Sequence, residues 1–472
     1  MDFVLVPHTV DSEGCTLWVG AFQCEQRPAD MELRITPSGA SIPVLAERWE
    51  FLYPPDLLPV TPPMYFRQTV ECYGLEPGRS YVMHLLHAEQ ILAQATVRPL
   101  PSALPGRHEA PFTVLLASCF CQENDRVGEV ARSFSHLPLE DRPVVKILCG
   151  DQVYLDIPIH QNFPDDSIRL AEIFLRKYVQ TWREADAAGV SGLGALLREG
   201  ATYFTADDHE FWNNFPNAAT LIQNSWTETG RMQWRGPARH LYRFFQFIHA
   251  DLAGEPQAFS VPPASFLILD TRFNREEGDR AFLSAPHMAR LTQWVEELNQ
   301  RRWVGFLCLG QLIFEEAAGW LKGRVVDRHL PDYAQYGELV RVLAACRQPL
   351  VLLTGDVHYG RVARCRQPSG GDLYEVISSP MSLVDRRVGG SASPPPPTYP
   401  ATAIPSLPRV DISVVPDANG QPALIAVEHF LTINLWSVGP SVRMQMKYWP
   451  VRTHGQRPTP IQTIVVDLVP NP

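Results

Sequence analysis

The sequence contains no run of about 18 uninterrupted apolar residues, so no membrane-crossing helix is expected and no membrane partner. Its first residues, MDFVLVPHTVDSEG, carry no basic stretch leading into an apolar core. A secretory signal is therefore not expected, and a cytoplasmic location is. The nine cysteines are an odd count with no CxxC spacing, which predicts reduced, mostly buried thiols instead of a disulfide framework. Positive charge is in short supply: 41 Lys and Arg stand against 51 Asp and Glu, a net charge of −10. Such a surface repels nucleic acid phosphates, so nucleic acid is not expected as a specific partner. An anionic substrate would still bind where metal ions invert the local field. No HxH pair occurs, which argues against a histidine-rich amidohydrolase centre. Nor is there an internal repeat, and nothing in the sequence bears on oligomeric state.

What the chain has in excess is proline, 43 in 472 residues against a usual ~5%. That predicts many fixed loops and argues against a helical bundle. At 45% apolar and 19% charged residues the chain is globular, and its length predicts two or three domains. Residues 1–98 read as all-β: short alternating runs such as CTLWVGAF, MELRITP and SYVMHLLHA sit between Pro and Gly turns. The phrase Gly74-Leu75-Glu76-Pro77-Gly78-Arg79-Ser80-Tyr81 resembles the turn before the sixth strand of fibronectin type III modules. There the Leu fills the core and the Tyr packs at the sheet corner. The segment is expected to fold separately and to supply no chemistry. A linker, LPSALPGRHEAP, occupies 99–111 with its flanking residue.

From Phe112 to the C-terminus (112–472) the texture becomes α/β. The runs FTVLLASC, VVKILCGD, ATYFTADD, SFLILD, WVGFLCL and PLVLLTGD read as strands that end in polar residues. Helices are expected over Ile168–Ala185, over Ser284–Arg301 with Ser284 as N-cap, and over Asp332–Cys346. Together these predict layered sheets flanked by helices. The segment 391–408, SASPPPPTYPATAIPSLP, reads as a proline-rich surface loop, and the end of the chain returns to β.

The strand ends carry the chemistry. They read Ser118-Cys119, Gly150-Asp151-Gln152-Val153-Tyr154, Asp207-Asp208-His209-Glu210, Asp270-Thr271-Arg272 and Gly355-Asp356-Val357-His358. Ligands of α/β sheets gather beyond the carboxyl ends of strands. Each residue taken alone has an ordinary reading: a buried thiol, a turn aspartate, a packed tyrosine, a helix cap, a core histidine. A metal site accounts for all of them at once. Because strand residues alternate sides, only one of Asp207 and Asp208 is expected to point into it.

The order ASC, GDxxY, DDHExxxNN, LDTR, GDVH over residues 112–390 resembles the alkaline phosphatase D (PhoD-like) metallophosphatases, relatives of the calcineurin-like phosphoesterases. The resemblance implies two metal ions. Cys119, Asp151, Tyr154 and Asp356 would hold the first, expected to be ferric iron, since thiolate and phenolate beside carboxylates suit a Lewis-acidic transition metal. Asp151 would bridge to a second ion, expected to be calcium, held by Asp208 or Asp207, Asn214 and His358. Zinc or manganese are the alternatives. The reaction implied is hydrolysis of a phosphate ester, with His209 stabilising or protonating the leaving oxygen. Arg272 would grip phosphate oxygens, or else pair with a carboxylate such as Asp270. The competing readings are a phosphodiesterase using the same metals and a weakly active scaffold that binds a partner through its N-terminal β domain.

Overall fold

The computed structural model describes residues 1–52, 63–125, 127–159, 163–184, 191–318, 328–383, 391–453 and 455–471. The first part of the chain makes two four-stranded antiparallel sheets. One has the order Asp2–Val10, Gly14–Cys24, Met64–Tyr73, Glu50–Phe51; the other has Ser41–Val44, Met31–Thr36, Tyr81–His87, Gln90–Val97. Period-two burial runs along Met31–Thr36, where Met31, Leu33 and Ile35 face inward and Glu32 and Arg34 do not. At the turn singled out above, Leu75 is buried and the Glu76 N–H donates to the Tyr81 hydroxyl at 2.9 Å.

Two larger sheets follow. In one, Ala201–Thr205, Val145–Cys149 and Phe112–Ala117 are parallel neighbours, and His429–Val438, Ser441–Pro450 and Gln462–Leu468 extend it antiparallel. In the other, Ala264–Ile268, Val304–Gly310, Leu350–Thr354 and Asp372–Ile377 run parallel at the centre. Alternation along each strand decides what packs where. Val114 and Leu116 share a core with Ile268, Phe306, Cys308 and Val351 of the opposite sheet. Leu115 and Ala117 point the other way, onto Phe174 of the helix Ser167–Trp182 and Leu241 and Phe245 of the helix Glu228–Gln246. Leu267, Leu307 and Leu352 pack likewise on Leu291 and Trp294 of Ala285–Arg301 and on Leu339 of Tyr336–Ala344. The result is helix, sheet, sheet, helix, with each fully buried Leu or Phe contributing about 1.5–3 kcal/mol. Among the described residues no helix is long and apolar enough to cross a membrane.

The six strand-like runs after Phe112 are strands, and the helix ends differ from the sequence reading in informative ways. The first helix is Ser167–Trp182, started by Asp166, whose carboxylate accepts the Arg169 N–H at 2.8 Å; Ala185 lies outside the described residues. Ser284 caps the second through the His287 N–H. The third begins only at Tyr336. Asp332 instead closes a 3-10 turn, Leu330–Asp332, and accepts the N–H groups of Ala318 and His329 at 2.6 and 3.0 Å. A short carboxylate that finds local backbone donors favours a turn over a helix. The 391–408 segment is irregular except for Thr398–Tyr399, which pairs with Val410–Val414.

The N-terminal sheets lie against the rest of the chain. Residues such as Leu17, Val19 and Leu33 belong to the same apolar cluster as Val114 and Val145. The Trp18 indole N–H donates to the Phe244 carbonyl at 2.6 Å. Arg67, 3% exposed, donates from Nη1 to the carbonyls of Phe244 and Phe247, at 3.3 and 3.1 Å, where the helix Glu228–Gln246 ends. A cation there also suits the helix dipole. Arg67→Ala is therefore expected to lower the unfolding free energy by about 1.5–3 kcal/mol, the range for hydrogen bonds to charged groups. Urea titration would measure it, and no shift in midpoint would mean that this contact does not couple the two parts.

Candidate metal centre

The strands ending at Ala117, Cys149, Thr205, Gly310 and Thr354 are each followed by a residue of one cluster: Cys119, Asp151, Asp207, Gln311 and Asp356. To turn inward there, the chain adopts left-handed backbone at Cys119 (φ 56°), Asp151 (φ 59°), Asp356 (φ 63°) and His358 (φ 58°), and also at Asn214 (φ 66°). Each costs a non-glycine residue of order 1–3 kcal/mol and persists only where the surroundings enforce it. Gly150 is required beside them: a Cβ would sit 2.5 Å from that of Asp207.

Ligand-capable atoms of Cys119, Asp151 and Asp356 lie within 4.8 Å of one another. So do those of Asp151, Asp208 and His209, and those of Asp207, Asp208 and Asp356. Asp151 thus belongs to two groups. Its Oδ2 is 3.5 Å from Cys119 Sγ and accepts the Tyr154 hydroxyl at 3.3 Å. Asn214 donates its backbone N–H to Asp208 Oδ2 at 2.5 Å, while its own Oδ1 accepts the Arg328 N–H at 3.2 Å. His358 is half-buried near Asp208 and His209, with its backbone N–H on Ser379 Oγ at 3.1 Å.

Both paired aspartates reach the cluster, contrary to the alternation expected of a strand. The strand ends at Thr205, and Asp207 caps a 3-10 turn, Asp208–Glu210, so the two-residue period no longer applies. His209 lies in this turn and not on a strand. Its Nδ1 is 2.7 Å from Asp156 Oδ1, and its ring stacks on Tyr154 with centroids 4.3 Å apart. Arg272 is 1% exposed. It pairs through Nε with Asp207 Oδ1 at 2.5 Å and donates to the Phe215 carbonyl at 2.8 Å. Asp270, the pairing suggested by sequence proximity, instead accepts the backbone N–H groups of Arg272 and Phe273.

Three further residues went unassigned in the sequence. Glu210 accepts the N–H groups of Asp151, Gln152 and Asp207 at 2.9, 2.6 and 2.8 Å, locking two strand ends together. Its spacing from Asp207 is that of a capping box, a signal the sequence did offer. Gln311 donates from Nε2 to Asp356 Oδ2 at 2.9 Å and to Asp207 Oδ1 at 3.2 Å. Asp156 orients His209. Neither of these two has a local signature.

The electrostatics are those of crowded anions. Burial pushes the carboxyls of Asp151, Asp207 and Asp356 up, and their acidic neighbours add to it. Burial also raises the Cys119 thiol and the Tyr154 phenol. Asp208 is pushed up by burial too, but Arg272 and His209 outweigh this and hold it below the usual carboxyl range. Burial lowers His209, yet Asp156, Asp151 and Asp208 more than compensate and raise it well above an ordinary imidazole. His358 is pushed down to about 4 by burial and by His209, and so stays neutral, the form that ligates metals. Asp207 Oδ2 is buried with no hydrogen-bond partner. A thiol, a phenol and four carboxyls gathered in overlapping groups, one oxygen among them unpartnered, fit cations, whose charge lets the whole set ionise.

No protein-family model matches the sequence, nor does any curated protein. Solved structures do match. The structure of PhoD aligns over 99% of this chain and 90% of its own, with a TM-score of 0.63 at 14% identity. The chain has a PhoD-like metallophosphatase fold. A purple acid phosphatase from yellow lupin (Lupinus luteus) seeds aligns over 99% of this chain and 74% of its own, with a TM-score of 0.56 at 10% identity.

Proposed function

We propose that this protein is a metal-dependent hydrolase of phosphate esters with a dinuclear metal centre. The observation that carries this reading is the membership of Asp151 in two groups of ligand-capable atoms, one containing Cys119 and Asp356 and the other Asp208. The phosphatase among its structural neighbours supports it at the level of fold. Cys119, Asp151, Tyr154 and Asp356 would hold one ion; Asp151, Asp208, Asn214 and His358 would hold the other, with Asp207 Oδ2 beside them. Bound cations would supply charge to the phosphoryl oxygens and lower the pKa of a water.

The protein's own residues do the rest. Asp156 accepts from His209 Nδ1, which orients the ring and favours its protonated form, with the other ring N–H left to give a proton to a leaving oxygen. Arg272 acts in this reading as a positioning residue: buried on Asp207, it orients that carboxylate. Residues 1–98 are assigned as a fibronectin type III-like domain without a ligand.

Metal analysis of the purified protein, combined with assays on monoesters and diesters, tests the reading. Two metal equivalents and hydrolysis lost on chelation are expected; absence of bound metal after reconstitution would overturn it. We further assign ferric iron, with calcium, to the pair. Iron-loaded protein is expected to show a visible charge-transfer band that weakens or shifts in Tyr154→Phe. Full activity in a colourless protein holding only zinc or manganese would refute iron and leave the hydrolysis intact.

A further inference from the structure

Beside the centre lies a cavity of about 280 Å³, with Asn214, Asn217, Thr220, Trp226 and Arg328 in its wall. Asn214 belongs both to this wall and to the metal cluster, through its N–H on Asp208. A molecule in the cavity would therefore share Asn214 with the proposed centre. Trp226 is 56% exposed, unusual for the largest side chain, yet it is held in place. Its indole N–H donates to the Ala219 carbonyl at 2.9 Å, and Ser225 Oγ ties the same loop through the Ala219 N–H at 2.8 Å. An exposed aromatic face fixed in advance loses little entropy when another flat group stacks on it.

The remaining wall is mixed, with Ala218 and Ala219 apolar beside the polar side chains. Asn217 and Thr220 carry donors and acceptors, and the Arg328 guanidinium is paired with Asp279. The volume lies near the lower end of ligand pockets, about 300 Å³. That volume suits one ring system. We propose, resting on the phosphoesterase reading, that this cavity receives the alcohol portion of the ester, and that its preferred substrates are small monomeric phosphates whose alcohol carries a flat aromatic ring with polar edge atoms. A nucleoside and a substituted phenol share that chemistry.

The test compares kcat/KM of metal-loaded wild type, Trp226→Ala and Trp226→Phe on a nucleoside 5′-monophosphate, an aryl phosphate and glycerol phosphate. Loss of base–aromatic stacking is expected to cost Trp226→Ala about 5- to 140-fold on the ring-bearing esters. Glycerol phosphate should change by less than about twofold, and Trp226→Phe should recover most of the loss. Equal losses on all three esters, or none on the ring-bearing pair, would overturn the subsite. Asn217→Ala separates the two sources: added loss on the nucleotide alone identifies the nucleoside edge, and no such difference leaves the aryl ring as the recognised group. If wild type hydrolyses neither these esters nor a phosphodiester, the phosphoesterase reading fails. Calorimetric binding of the nucleotide then decides the subsite: a Trp226-dependent affinity sustains it and no binding overturns it.

Discussion

Asp151→Asn is expected to empty both metal positions. Its carboxylate joins the group that holds Cys119 and Asp356 to the group that holds Asp208 and His209, and the amide removes its charge while keeping its shape. Groups that merely orient a ligand are worth about 10- to 100-fold in metal affinity, so each position should weaken by more than about 100-fold, and hydrolysis should fall with it. Metal-free stability separates a ligand from a structural residue. Burial and the neighbouring acids raise the carboxyls of Asp151, Asp207 and Asp356 in the folded, metal-free protein. A raised folded pKa means that the native state binds more protons than the unfolded one, so stability is full below the ordinary carboxyl pKa and is lost as pH rises toward the folded value. The metal-free wild type should weaken over that rise, and Asp151→Asn should weaken less. Full metal content and activity in the variant would show that Asp151 is not the bridge.

His209→Ala is expected to keep both metals and lose selectively on poor leaving groups. The imidazole is stacked on Tyr154 and bonded to Asp156, and in the metal-free protein Asp156, Asp151 and Asp208 raise it above an ordinary imidazole against the pull of burial. General acid catalysis contributes about 10²–10⁴-fold and matters most when the departing oxygen is basic. An alkyl phosphate should therefore suffer an extra loss of that order relative to an aryl phosphate. Asp156→Asn should reproduce part of it, by about 10- to 100-fold. Equal loss on both esters would indicate an orienting role. Loss of metal would make His209 a ligand, as its place among the ligand-capable atoms of Asp151 and Asp208 permits.

Much of this protein was readable as a string because the relevant physics is local. Strand runs such as VVKILCGD are legible from their apolar continuity and polar stop, and Ser284 from its place before an amphipathic helix. The residue types Cys, Asp, Tyr and His at successive strand ends pointed to a candidate metal centre. Which of their atoms meet was decided in three dimensions. The inward reach of both Asp207 and Asp208 follows from a 3-10 turn, and the left-handed backbone at Cys119, Asp151 and Asp356 is enforced by packing, since residue type alone disfavours it. Arg272 chose Asp207, 65 residues away, over Asp270, two away. Gln311 and Asp156 owe their roles to neighbours brought from other strands. The shared core of residues 1–98 with the first large sheet has the same origin. Periodicity and capping act over a few residues and leave a trace in the order of the chain; the partner of a buried charge is whichever group the layers bring within reach.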